Sequence, residues 1–176
     1  MRHPTFLVAG AALLLLAACQ ASNKPQPLTG ADSTALTKIA SDYAAAWNRG
    51  NVDGVVSLFA ADGVLEEQDT VALSGSNAIR TYLNSAMGTP TRPTLDIKGA
   101  MMMGRQDLAV TAGTFTVTLA APPAPAKGAA PAAPAPLVGK WLAASMKQPD
   151  GGWKIAYLAT SYDARMVMPA PAKKGR

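Results

Sequence analysis

Acid–base chemistry in this sequence has to come from carboxylates, tyrosines or lysines, because the only histidine is His3 and the only cysteine is Cys19. That scarcity removes Ser-His-Asp and Cys-His nucleophilic arrangements. It also removes the common zinc, haem and blue-copper ligand sets, so no metal or other cofactor is expected. The densest acidic stretch is Glu66-Glu67-Gln68-Asp69. Alternation along an extended strand puts Leu65 and Glu67 on one face and Glu66 and Gln68 on the other. If Leu65 faces an apolar interior, Glu67 enters it too, and a carboxyl so placed has a raised pKa and is a candidate general base. If the strand is a frayed edge, Glu66, Glu67 and Asp69 are solvated surface. Three carboxylates on one strand fall short of the roughly six to eight oxygens that Ca²⁺ requires. Tyr43 lies on the inward stripe of a helix, where a tyrosine is commonly a core residue with its hydroxyl satisfied. Trp47, Leu65, Met101, Met103, Trp141 and Tyr157 are the candidate lining of a pocket for a flat or greasy ligand. Alternation sends Met102 to the opposite face, where it is available for a dimer contact.

These residues need elements to hold them. Leu36, Ile39, Tyr43 and Trp47 recur at three- and four-residue spacing, which predicts a helix from an Asp32 N-cap to about Arg49, stopped by Gly50. Asn51 can cap a short second helix with Val52, Val55, Val56 and Phe59 inward. Asp62-Gly63 reads as a turn into a strand from Val64 to about Asp69. Ser74-Gly75-Ser76 opens a third helix, with Ile79, Tyr82, Leu83 and Ala86 on one face and Gly88 at its end. In the next run Leu95, Ile97, Gly99, Met101 and Met103 face one way. Between Asp107 and Leu119 the apolar parity changes near Gly113, which predicts a bulge there. Leu137–Lys147 and Gly152–Tyr162 form the last two strands, joined by the turn Gln148-Pro149-Asp150-Gly151. Residues 121–136 are almost entirely Ala and Pro and cannot build a core, so they are expected to form an extended, mobile loop, either an inert insertion or a docking segment. Helices first and strands after describe an α+β domain, with the helices packed on one face of a curved antiparallel sheet.

The net charge of +5 does not make a nucleic-acid binder. Of the 16 Lys and Arg, Arg2, Lys24, Lys173, Lys174 and Arg176 lie outside Asp32–Met168, so the 11 that remain balance the 11 Asp and Glu. No element concentrates basic residues on one face, and no nucleic-acid partner is expected. Residues 169–176 read as a disordered basic tail. At the other end, Phe6–Ala18 is an almost pure apolar run after a short basic start. As a helix it spans about 20 Å, short of the ~30 Å hydrocarbon core, and so reads as a signal segment over residues 1–18. Leu16-Ala17-Ala18-Cys19 resembles the lipobox of bacterial lipoproteins. The resemblance implies cleavage before Cys19 and acyl chains on that residue, the membrane being the partner. Gln20 after the cysteine favours outer-membrane sorting by the same resemblance. The expected location is the cell envelope, on the inner leaflet of the outer membrane facing the periplasm. Ala21–Gly30 reads as a flexible tether, so residues 19–31 lead into a domain over 32–168.

Within that domain, Tyr43-Ala-Ala-Ala-Trp47-Asn-Arg-Gly50 is followed by Leu58-Phe59-Ala60-Ala61-Asp62-Gly63-Val64, then Gly75 and Ala78-Ile79-Arg80, and finally Asp150-Gly151-Gly152-Trp153-Lys154-Ile155. Their order and spacing resemble the nuclear transport factor 2-like superfamily, nearest to its SnoaL-like members. The resemblance implies a conical fold, three N-terminal helices on a curved, mainly antiparallel sheet, enclosing an apolar cavity for a small ligand and often dimerising through the sheet. It also invites comparison with ketosteroid isomerase, whose pocket holds a carboxylate base and an oxyanion hole of one Tyr and one protonated Asp. Tyr43, seven residues before Gly50, stands in the place of that tyrosine, and Glu67, five after Asp62, in the place of the base. The third member would come from Leu142–Ala144, where Leu-Ala-Ala contains no acid. The expectation is therefore a cavity that binds a small apolar molecule or a partner, the alternative being an isomerase or cyclase using Glu67 and Tyr43.

Overall fold

The computed structural model describes residues 26–88, 92–120 and 134–163. The signal segment, Cys19, the first half of the tether, most of the Ala/Pro stretch and the basic tail lie outside the described residues. The chain runs α1 (Gly30–Arg49), α2 (Val52–Val56), β1 (Phe59–Glu66), β2 (Leu73–Ser74), α3 (Gly75–Met87), β3 (Thr94–Arg105), β4 (Leu108–Thr118), β5 (Leu137–Lys147) and β6 (Trp153–Tyr162). Six strands form one sheet in the order β2-β1-β6-β5-β4-β3. All neighbours are antiparallel except β1 and β6, which run parallel.

The cap of α1 is Thr29, not Asp32. The Thr29 side chain accepts from the Asp32 N–H, while the Asp32 carboxylate accepts from the Thr29 N–H, a capping box that starts the helix at Gly30. The end of the tether is accordingly fixed rather than free. Pro27 bridges to Arg105, the Gln106 N–H donates to the Gln26 carbonyl at 2.8 Å, and Leu28 packs beside Leu36, Ala109 and Trp153. Gly50 closes α1 at φ +71°, its N–H reaching the carbonyls of Ala46 and Trp47. Asn51 caps α2 by accepting from the Gly54 N–H at 2.8 Å. Phe59 belongs to β1 rather than to α2. Asp62 and Gly63 also lie inside β1, in the irregular stretch between the pairs Phe59↔Ile155 and Val64↔Tyr157.

Two bulges govern which side chains reach the interior. On β3, Gly99 pairs with Gly113 and Met101 with Ala112, leaving Ala100 unpaired. Leu95 and Ile97 face inward before it and Met102 after it. On β6, Tyr157 pairs with Ala144 and Ile155 with Ser145, so Ala156 is extra and the inward set becomes Ile155, Leu158, Thr160 and Tyr162. The parity change expected near Gly113 is therefore in the partner strand. β4 itself keeps Ala109, Thr111, Phe115 and Val117 inward without interruption, and leaves Leu108 exposed.

The core lies between this inner face and the helices. Leu65, Ile79 and Leu83 are fully buried, each worth about 1.5–3 kcal/mol relative to exposure. A polar cluster closes one end, where Asp32 accepts from Lys147 Nζ at 2.7 Å and from Trp153 Nε1 at 3.0 Å. At the end of α1, Asn48 Nδ2 donates to the Leu95 carbonyl at 2.9 Å and Oδ1 accepts the Leu95 N–H at 2.7 Å, tying the helix to the start of β3. Among the described residues no helix is long and apolar enough to cross a membrane.

Candidate functional site

Helices and sheet leave a cavity of about 100 Å³ between them, room for several waters or one ring-sized organic molecule. Two helices and four strands line it. α1 contributes Tyr43 and Trp47, α3 contributes Tyr82, and β3 contributes Leu95 and Ile97. β4 and β5 give Phe115 and Trp141 among others, and β6 gives Leu158, Thr160 and Tyr162. Glu67, the first residue past β1, supplies the single ionisable carboxyl on the wall among the described residues. Alternation from the fully buried Leu65 carries it inward, as its position in the sequence suggested.

Glycines make the aromatic wall possible. Gly139 sits between Phe115 on β4 and Tyr162 on β6, its direct partners in the sheet. With no side chain between them, the two rings meet edge to face with centroids 5.3 Å apart. Gly113 pairs with Trp141 in the same way, and a Cβ there would stand 2.9 Å from Trp141 Nε1. Each aromatic side chain thus lies over a glycine of the neighbouring strand, a packing that also pins the β4–β5 register.

The electrostatics centre on Glu67. Burial pushes its pKa up, and a hydrogen bond from the Thr160 hydroxyl partly opposes that shift. Three tyrosines surround it. Burial raises the Tyr43 hydroxyl well above its ordinary range, and the nearby Glu67 charge adds to the effect. The same two causes, with Tyr162 beside them, lift Tyr82 to about 12. Tyr162 is also raised, by burial and then by Glu67. Among the described residues the cavity lining includes neither Lys nor Arg. Trp47 Nε1 is satisfied by the Pro93 carbonyl at 3.1 Å, so the cavity receives its ring. Trp141 Nε1, buried beside Gly113, has no hydrogen-bond partner among the described residues. Among the described residues no group of three His, Cys, Asp or Glu side chains could hold a metal ion.

The structure therefore brings Tyr43, Trp47, Glu67 and Trp141 together and separates the other candidates from them. Leu65 is packed in the core behind the wall rather than on it. Met101 and Met103 are on the outer sheet face, 42% and 55% exposed, because the Ala100 bulge reverses the parity of β3. The same reversal turns Met102 toward the interior, so it is unavailable for a contact on the outer face. Tyr157 is likewise turned outward by the Ala156 bulge, and its hydroxyl donates to the Glu66 carboxylate. The sequence reading missed Phe115, Thr160 and Tyr162 as lining residues. Tyr82 shared the apolar face of α3 with Ile79 and Leu83, a signal strong enough to have placed it. Tyr162 carried no such signal, because its side depends on an alanine bulge six residues earlier.

A cavity flanked by helices on a curved sheet, with one acid on its wall, defines a class of small α+β domains that keep a ligand-sized space inside the fold. The SnoaL-like domain model matches residues 40–138, and the chain belongs to that family, within the nuclear transport factor 2-like fold. No curated protein matches the sequence. Among solved structures it is similar to a ketosteroid isomerase-like protein from Erwinia carotovora atroseptica, with TM-score 0.64 and 20% identity over 77% of this chain and 99% of the other. It is also similar to a protein of unknown function from Mycobacterium tuberculosis, with TM-score 0.64 and 22% identity over 82% and 84% of the two chains. A third is a nuclear transport factor 2-like protein with a cystatin-like fold from Novosphingobium aromaticivorans, at 0.61 and 13% over 77% and 84%. The expected fold and family are thus met, and at these identities the structural likeness speaks for the fold alone.

Proposed function

We propose that this chain is a lipid-anchored envelope protein whose domain binds a small, largely apolar ligand in the cavity between helices and sheet. The observation that carries the reading is the aromatic-lined space with a single buried acid on its wall. Native mass spectrometry of the full-length chain, released from mild detergent, is the test. A reproducible adduct of a few hundred daltons is expected, and a bare mass together with side chains collapsed into the cavity in a crystal structure would remove the reading. Anchoring rests on Cys19 in its lipobox-like setting. Cys19→Ala should move the protein from the membrane fraction to the soluble one, and retention at the membrane would count against the lipid.

Two further readings each have an observation behind them. Glu67 and Tyr43 share the cavity and are electrostatically coupled, which favours an isomerase or cyclase with Glu67 as base and Tyr43 donating to a developing enolate. Glu67→Gln should then slow turnover of a ketone substrate at least about a hundredfold, and unchanged turnover removes the enzyme. The outer sheet face exposes Met101, Met103, Leu142 and Met146, which favours a homodimer through the sheet. Leu142→Lys should convert that dimer to monomer in analytical ultracentrifugation, and a wild-type chain that sediments as a monomer sinks the idea.

A further inference from the structure

A carboxyl buried in a low-dielectric space is ordinarily paired with a cation, and removing the partner of such a pair is costly. Among the described residues Glu67 has no such partner. The groups that face it are hydroxyls and rings, namely Thr160, Tyr43 from α1, Tyr82 from α3 and Tyr162 from β6. The residues that line the cavity from β3, β4 and β5 carry no titratable group. The rings are placed close to the carboxyl by the sheet itself. Thr160, which holds Glu67, is the direct cross-strand partner of Trp141, and Tyr162 lies two residues further along the same face. Trp141 Nε1 is buried against Gly113 and Trp47 Nε1 is committed to Pro93, so both indoles offer the cavity ring carbon rather than a donor. An anionic group framed by aromatic rings, with no positive charge in the lining among the described residues, is the arrangement that recognises an alkylated ammonium. The charge sits against the carboxylate, and the alkyl groups against electron-rich ring faces.

We propose that the cavity takes a small organic ammonium ion, held by Glu67 and by the rings of Tyr43, Trp47, Tyr82, Trp141 and Tyr162. This rests on the reading of the cavity as a ligand site and narrows it to a ligand that is apolar in bulk but carries one positive charge. A neutral ligand would leave the Glu67 carboxyl without a partner charge. A cation favours its ionised form, so binding of the cation competes with the proton and strengthens as pH rises.

The experiment compares choline with dimethylbutanol, its uncharged isostere in which carbon replaces nitrogen, by calorimetric titration of the full-length chain. At about pH 8 choline should bind roughly tenfold or more tightly than the alcohol, its affinity should fall on acidification, and the alcohol's should not change. In Glu67→Gln the preference for the cation should disappear while the alcohol still binds. Because the decisive comparison is between two probes on the unaltered protein, it does not depend on the variant folding. Binding of the alcohol as tight as that of choline overturns the ammonium proposal and leaves the cavity a ligand site. Binding of neither probe at millimolar concentration, with no adduct in native mass spectrometry, overturns both.

Discussion

Replacing Glu67 with glutamine asks whether the cavity carboxyl costs the fold stability. Glutamine keeps the shape of the side chain and an acceptor oxygen for the Thr160 hydroxyl, and it removes the charge. In the folded chain burial raises the Glu67 pKa above its ordinary 4.5, and the Thr160 hydrogen bond opposes part of that rise. A carboxyl whose folded pKa is raised holds its proton more tightly when folded. Its ionisation therefore imposes no penalty below the unfolded pKa, a growing one as pH climbs from that value toward the folded pKa, and the full penalty above it. Each unit of difference is worth about 1.4 kcal/mol. A gain for Glu67→Gln on the order of 1–2 kcal/mol at alkaline pH is in the range of other substitutions that relieve a strained site. For a domain of this size that corresponds to about 4 °C in melting midpoint per kcal/mol. The assay is thermal unfolding by circular dichroism, wild type against variant, from about pH 4 to pH 9. The two midpoints should coincide at the acid end, separate as pH climbs through the folded pKa and then keep a constant gap, with the variant higher. Parallel curves would place Glu67 in water, and a variant less stable throughout would make the carboxylate a paired structural group.

Three other outcomes follow from different parts of the structure. Asp32 is held below the ordinary carboxylate range by its hydrogen bonds, first from Lys147, then from Thr29 and Trp153. Its contribution to stability is present above the unfolded pKa near 3.8 and is lost as pH falls below it. Asp32→Asn should therefore melt lower than wild type near neutrality, with the gap shrinking below about pH 4; a gap independent of pH would assign the loss to helix capping alone. Gly139→Ala would set a Cβ 2.5 Å from the Ser161 carbonyl and into the Phe115 ring. It should destabilise the chain by about 1–3 kcal/mol and weaken the near-ultraviolet circular dichroism of the Phe115–Tyr162 pair, and an unaltered spectrum would contradict that packing. The Tyr82 hydroxyl, lifted to about 12 by burial and then by the Glu67 and Tyr162 charges, should give a phenolate absorbance step near pH 12 that is missing from Tyr82→Phe. A missing step at ordinary tyrosine pH instead would place Tyr82 in solvent.

What the sequence made legible was decided by how local each determinant is. The helices were readable because their apolar stripes and stops depend on near neighbours. Leu36, Ile39, Tyr43 and Trp47 mark α1, Gly50 ends it, and Asn51 caps α2. The Thr29–Asp32 capping box was also local, yet Asp32 alone looked a sufficient cap, which hid the three residues before it. Along the strands the reading held as far as strict alternation did. Leu65 inward and Glu67 inward followed from it. It failed beyond Ala100 and Ala156, because an alanine carries no mark of being a bulge. The bulge on β3 exists only as a mismatch with β4, and the one on β6 only as a mismatch with β5. Parity in a sheet is a property of pairs of strands, and one strand's pattern cannot report it.

Those same bulges tie the interior to its chemistry. Without the one at Ala156, continued alternation from Ile155 would point Tyr157 inward and turn Thr160 and Tyr162 to solvent. Glu67 would then lose its hydrogen-bond donor, and Phe115 would lose the ring it meets across Gly139. The site is thus carried by two small residues, Ala156 and Gly139, neither of which offers a functional group. A buried acid without a cation, kept among rings by such means, adds nothing to the core that a leucine would not add more cheaply. On the proposed reading its placement serves what enters the cavity, and a fold that tolerates the ionisation penalty there is expected to recover stability when a matching ligand is bound.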